Sequence, residues 1–220
     1  DAVAGISLDR QRDQRLGFEN FSGDPRTPTA LGVRGNLRRD ETNQANSRDA
    51  FVQADWALTP ALAATAGLRS GRVKVDVQDR YVSGLNRDDS GRLQFSYTNP
   101  VLGLRYTAAP GWVLHASAAR GYESPTLGEL AYSADNSGFN KTLKGQTSQQ
   151  AELGSKWRSA GFDVDATLFT VHTDDEIGVR TNTGGRSAFQ NVGRTRRHGA
   201  ELATTWRPAS GLKLQAAVSL

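Results

Sequence analysis

The chain has 220 residues, 37% of them hydrophobic, and its 27 basic against 23 acidic side chains leave a net charge of +4. A mean hydropathy of −0.55, with no apolar run near the roughly 18 residues that a membrane helix needs, argues against a helix-spanning membrane protein. With no cysteine there is no disulfide framework, and thiol usage says nothing of compartment.

The chain opens at Asp1 without Met, a charged n-region or an apolar h-region, so it reads as a processed chain or an excised piece. Residues 1 to 16 (DAVAGISLDRQRDQRL) read as a first strand, and residues 17 to 36, rich in Gly, Pro, Asn and Thr, as a long loop. A second strand runs from Leu37 to Leu58. Its top, Arg38 to Asp49, is polar, whereas Ala50, Val52, Ala54, Trp56 and Leu58 oppose Gln53 and Asp55 across its lower half. After Pro60, Leu62, Ala64, Ala66 and Leu68 share one face. The apolar phase then slips to Val73, Val75 and Val77, which predicts a bulge near Ser70–Gly71.

Residues 81 to 92 form the next polar loop. The strand from Leu93 to Tyr106 changes phase at Asn99–Pro100, where proline fits only an edge or a bulge. Trp112, Leu114, Ala116, Ala118 and Tyr122 share a face in the fifth strand, and Arg120 on that face lies near outer headgroups. Trp112 and Tyr122 are spaced for the about 9–11 residues of a tilted transmembrane strand with an aromatic at each interface. A loop from Glu123 to Gln146 follows.

Period-2 alternation on both sides of Arg158–Gly161 predicts a hairpin over Thr147–His172. With Trp157 opposite Phe162, the pairs Ser155–Val164, Leu153–Ala166 and Ala151–Leu168 share the apolar face, and Lys156–Asp163 and Gly154–Asp165 the polar one. A short connection around Thr181–Gly185, with Gly184–Gly185 suited to positive φ, leads to an eighth strand, Ser187 to Arg207. Its outward residues are Ala200, Leu202, Thr204 and Trp206, with Glu201 inward. Leu212, Leu214, Ala216 and Val218 begin a ninth strand.

Tight turns follow Trp56, Tyr106, Trp157 and Trp206, at intervals of 50, 51 and 49 residues. Each period holds two long strands, one short turn and one long polar loop, the pattern of an up-and-down antiparallel sheet. A kelch propeller has a similar period of about 50 residues but needs four short strands in each. The fold expected is therefore all-β: part of an antiparallel up-and-down transmembrane β-barrel, with about nine long strands. Trp56, Tyr106, Trp112, Tyr122, Trp157, Phe162 and Trp206 are its membrane-interface aromatics. Nine strands leave two open edges, so residues 1–220 read as one fragment of a barrel domain.

At Arg120–Tyr132 (RGYESPTLGELAY), Glu152-x-Gly-x-Lys156 and Asn191–Glu201 (NVGRTRRHGAE) the chain resembles the TonB-dependent outer-membrane receptors. That resemblance implies a barrel of about 22 strands around an amino-terminal plug. It implies import of scarce ligands such as ferric siderophores, haem or cobalamin, energised by the TonB complex, in the outer membrane of a Gram-negative bacterium. Residues 173 to 201 look closest to a branch associated with uptake of pyrroloquinoline quinone. Against the family pattern, the sequence has no plug, no TonB box and no terminal strand ending in an aromatic. The implied partners are a plug, the remaining barrel strands, the TonB complex, outer-membrane lipid and a small-molecule ligand.

The basic clusters at Arg34–Arg39 and Arg194–His198 suit an anionic ligand or lipopolysaccharide phosphates, or are solvated loop and lumen charge. Nucleic acid is not expected, because aromatics are not interleaved with the basic residues. The ligand-binding candidates, by position, are Arg180, Arg186 and Arg197, with Tyr132 beside the long loop. Arginine forks bind carboxylates, phosphates and catecholate–iron complexes.

His115, His172 and His198 show no HxH or HExxH spacing, so neither a zinc site nor any resident cofactor is expected. Ser117 beside His115 reads as a lumen hydrogen bond rather than a catalytic dyad, and no enzyme is expected. Asp174-Asp175-Glu176 reads as a solvated loop base, with calcium the alternative. Three functions compete: an active-import receptor for an iron chelate or an anionic cofactor, a passive porin, and a soluble β-solenoid adhesin. The last requires Trp56, Leu62 and Trp112 to pack on protein.

Overall fold

The computed structural model describes residues 1–84, 86–133, 138–183 and 186–220. Nine long strands form one antiparallel meander: β1 (Ala2–Phe18), β4 (Leu37–Ala57), β5 (Leu62–Asp79), β6 (Gly91–Ala109), β7 (Trp112–Glu123), β8 (Gln146–Arg158), β9 (Phe162–Asp174), β12 (Thr195–Ala209) and β13 (Leu212–Ser219). Two separate ribbons decorate the end with long connections, β2 (Phe21–Asp24) with β3 (Thr27–Leu31) and β10 (Ile177–Thr183) with β11 (Arg186–Asn191). The Gly184–Gly185 turn lies outside the described residues.

The meander has one face lined by even-numbered residues of β4 and β5 and a second, inner face against which residues 124–133 and 138–145 fold. On the outer face the lower part of each strand is apolar and open: Leu102 is 61% exposed, Leu153 58%, Leu168 58% and Trp56 49%. On β4 the outward apolar stretch runs from Ala50 to Trp56. At about 2.6 Å of height per residue for a strand tilted by about 40°, that stretch matches much of an apolar band ~25 Å tall. No second layer covers Trp56 or Trp112, which stand open, contrary to what an adhesin core would require.

Above the band the two faces exchange character. Arg72 and Lys74 turn outward to solvent, while Val75 and Val77 turn inward and pack with Phe95 of β6 against Leu130, Phe139 and Leu143 of the long loop. This cluster is the protein's interior, and it lies inside the rim rather than in the band. The phase slips in β5 and β6 therefore have no bulge behind them. Asp49↔Gly71, Ala50↔Ser70 and Leu68↔Pro100 belong to unbroken ladders. The residue chemistry changed because the surroundings changed, from an open apolar face outside to a packed loop inside. Pro100 is tolerated because the β6–β7 ladder ends at Val101↔Ala119, one residue below it.

Two further expectations need correction. The β8–β9 register is Trp157↔Val164, Leu153↔Leu168, Lys156↔Asp165 and Arg158↔Asp163, two residues from the expected one. The faces are unchanged. The Ser159 hydroxyl accepts from the Phe162 amide (3.1 Å) and closes the turn one residue later, so Trp157 meets Phe162 edge-on across a diagonal at 6.1 Å. Arg158 then binds both oxygens of Asp165 at 3.1 and 2.9 Å, and Arg207 takes Asp163 at 2.8 Å. The expected eighth strand is also interrupted. Gly193, at φ +95°, separates β11 from β12, so the ribbon stands apart from the sheet.

Candidate functional site

The loop after β7 is fixed before it reaches Tyr132. The Thr126 amide and hydroxyl both donate to the Glu129 carboxylate (2.8 and 2.9 Å), bracing the chain as it enters a single 3-10 turn over Glu129–Ala131. That turn drives Leu130 into the rim cluster, where it is 1% exposed, and the Asn140 amide ties its carbonyl at 2.8 Å. Tyr132 is thereby delivered to the inner face of the rim.

Three arginines from three elements surround its ring. The guanidinium carbons of Arg39, Arg186 and Arg15 lie 4.8, 5.1 and 6.0 Å from the ring centre, and Arg39 donates to the phenol oxygen at 2.8 Å. Arg15 and Arg39 are brought together by the β1–β4 register, which pairs Arg15 with Glu41 and Gly17 with Arg39. A Cβ on Gly17 would come within 3.1 Å of the Arg39 Cβ, so glycine keeps this approach open. Glu41, 8% exposed, accepts from Arg39 at 3.0 Å and Arg15 at 3.5 Å and holds both guanidinium groups in place.

The open recess they line is about 840 Å³, with Tyr132, Arg15, Arg38, Arg39 and Arg186 on its wall and Glu19, Glu41, Asp79 and Asp89 interspersed. Burial pushes the Asp89 carboxyl above the usual carboxylate range, helped by the charges of Asp79 and Glu41. The volume suits a small molecule. Aromatic face and guanidinium forks together suit a planar, oxygen-rich anion.

Of the four ligand candidates, Tyr132 and Arg186 meet here. Arg180 sits at a register shift between Val179 and Thr181 and is exposed. Arg197 is held by Glu176 at 2.6 Å. Neither lines the cavity. Sequence reasoning missed Arg15 and Glu41 and reached Arg39 only as part of the Arg34–Arg39 basic cluster. The signal available was their shared odd-numbered phase, the same as that of Asp49 and the inward valines.

The remaining candidates find other partners. His115 contacts Glu152 at 3.1 Å on the inner face, and His172 contacts Arg196 on the outer. Asp174, Asp175 and Glu176 each face a different cation, Arg194, Lys144 and Arg197. Trp56, Tyr106, Trp112, Trp157, Phe162 and Trp206 stand beside the short turns, linked laterally by Trp112↔Trp157 and Phe162↔Trp206. Tyr122 departs from this row. It stacks on Tyr97 with ring centres 5.2 Å apart and packs against the rim cluster.

A family described as "TonB dependent receptor-like, beta-barrel" matches residues 2–220. The chain belongs to the TonB-dependent receptor family. Among solved structures, it superposes on the ferric yersiniabactin uptake receptor FyuA from Yersinia pestis with a TM-score of 0.76 at 22% identity, covering 100% of this chain and 32% of that one. The copper transporter OprC gives a TM-score of 0.78 at 15% identity, covering 99% and 34%. The FrpB iron transporter from Neisseria meningitidis (F5-1 variant) gives 0.68 at 20%, covering 99% and 33%. At such identities the likeness is one of fold, and the chain spans about a third of each of these proteins. In this TonB-dependent receptor wall, the arginine-ringed tyrosine sits on the face that carries the inward-folded loop.

Proposed function

We propose that this wall belongs to an outer-membrane receptor of a Gram-negative bacterium that captures a small anionic ligand at the rim cavity and imports it with energy from the TonB complex. The observation that carries the reading is the grouping of Arg15, Arg39 and Arg186 around Tyr132 on the inner face. The Arg15 and Arg39 guanidinium groups, already ordered by Glu41, need little rearrangement when an anion arrives. An anionic iron chelate is the first choice of cargo, in keeping with the iron transporters that share the fold. Pyrroloquinoline quinone, a planar tricarboxylate, is the second, carried by the resemblance of residues 173 to 201 alone. Within this reading the exposed aromatic row is the girdle at one membrane interface. A plug, the remaining strands and the TonB complex are the partners.

The test is binding of ferric catecholate chelates and of the quinone to the purified full-length receptor, read by intrinsic fluorescence and by uptake in cells. Saturable binding that needs Arg39 and Arg186, with uptake that stops when TonB is deleted, supports the proposal. Free permeation of small sugars in a liposome swelling assay, without saturable binding, replaces it with a passive channel.

A further inference from the structure

The outer face carries a second basic site, directly above the apolar band. Arg48 of β4 and Arg72 of β5 are directly opposite each other, and one pair of residues further up Arg10, Asn46 and Lys74 lie in line across β1, β4 and β5. All four cations are exposed, and among the described residues none takes part in an ion pair within 4.0 Å. The nearby acid on this face, Asp76, is taken by Arg92. With Gln44 and Asn46 the four cations line one recess on this face. Like charges facing each other across a ladder are destabilising, so the Arg48–Arg72 pair costs stability unless an anion sits between them.

Immediately below, the surface changes to hydrocarbon. Leu8 pairs with Arg48, Ile6 with Ala50, and these side chains are 72% and 77% exposed. A second groove runs from Ile6 and Leu8 past Arg48 and Arg72 to Arg120. Cβ atoms of opposed residues are about 5 Å apart, so the two guanidinium groups can fork one phosphate between them. Arg10 and Lys74 stand one two-residue step higher, about 7 Å away, within reach of a second phosphate.

We propose that this recess binds the phosphorylated headgroup of an outer-leaflet glycolipid, with its acyl chains lying on Ile6 and Leu8. The inference rests on the membrane-spanning reading of the sheet. A free anion would leave the apolar strip below the cations without a role, and the strip continues the lipid-facing band without a break.

The full-length receptor is purified in detergent with lipid A, and in parallel with its fully dephosphorylated form, and retained lipid is counted by native mass spectrometry. The variants are R48Q/R72Q and, as a charge-matched control, R26Q/K213Q, with both cations in exposed segments elsewhere. Wild type and control are expected to retain lipid A and to lose the dephosphorylated form, while R48Q/R72Q retains at least about tenfold less lipid A. Equal retention by the two variants, equal binding of dephosphorylated lipid, or displacement by inorganic phosphate at matched concentration overturns the proposal. Wild-type protein that partitions into the aqueous phase overturns the membrane-spanning reading itself, a separate outcome.

Discussion

Replacing Leu130 with alanine tests whether the rim cavity is held by the loop cluster. Leu130 is 1% exposed, packed with Val75, Val77, Phe95, Phe139 and Leu143. Removing a buried leucine side chain costs about 2–5 kcal/mol, the upper end where the site cannot collapse. The nine-stranded ladder does not depend on this contact, so the loss falls on loop docking. At about 1.4 kcal/mol per factor of ten, the undocked population of residues 124–133 and 138–145 rises by at least about 25-fold. Amide hydrogen exchange over the described loop residues, in detergent, reads that change, and trypsin cleavage after Lys141 and Lys144 provides a second readout. Leu168→Ala is the control, because that side chain is 58% exposed on the outer face. Loop exchange in Leu130→Ala equal to that of wild type, or equally raised in Leu168→Ala, would refute the assignment of the interior to the rim.

Tyr132→Phe keeps the ring but loses the bond from Arg39, so cargo affinity should fall by no more than about tenfold, whereas Arg186→Gln should lower it further without altering insertion; titration of intrinsic fluorescence distinguishes the two. Hydrogen bonds from Arg197 and then Thr195 hold the Glu176 carboxyl below its usual range, so their contribution is complete above the unfolded value and is lost as pH falls through the depressed one. Exchange in β10–β11 should therefore quicken in acid, and Arg197→Gln should abolish that dependence; the exposed pair should also weaken in high salt. Asp89 has the opposite sign. Its folded value is raised, so local stability falls as pH rises from the ordinary carboxylate range through that raised value, and Asp89→Asn should flatten the profile measured by exchange over residues 86–90.

The strand order and the exposed aromatic row were legible because each long strand spends its lower half between two fixed environments, and alternation records that directly. Val75 and Phe95 show where this logic fails. Their phase change looks like a break in the backbone, yet the backbone runs straight and the neighbours differ. Register in the β8–β9 hairpin slipped from view because a two-residue shift preserves every face, leaving a serine hydroxyl and one salt bridge to decide it. Arg15 and Arg39 reach Tyr132 across 117 and 93 positions of sequence, and no local pattern encodes such a meeting. Tyr122 matched the spacing of an interface aromatic, but its ring is drawn to Tyr97 where the ladder between its strand and the preceding one has ended.

That ended ladder divides the upper wall into two leaves. Above Val101↔Ala119 the top of β6 is bonded only to β5 and the top of β7 only to β8. The cleft between them is spanned by the Tyr97–Tyr122 stack and by the 138–145 stretch, which reaches Phe189 through Asn140 and Asn191 through Lys144. Joining the strands below and joining the two leaves above thus rest on different bonds. The lower wall is held by continuous backbone pairing; the upper leaves are held by a wedge of side chains, which can be unseated without breaking one inter-strand bond.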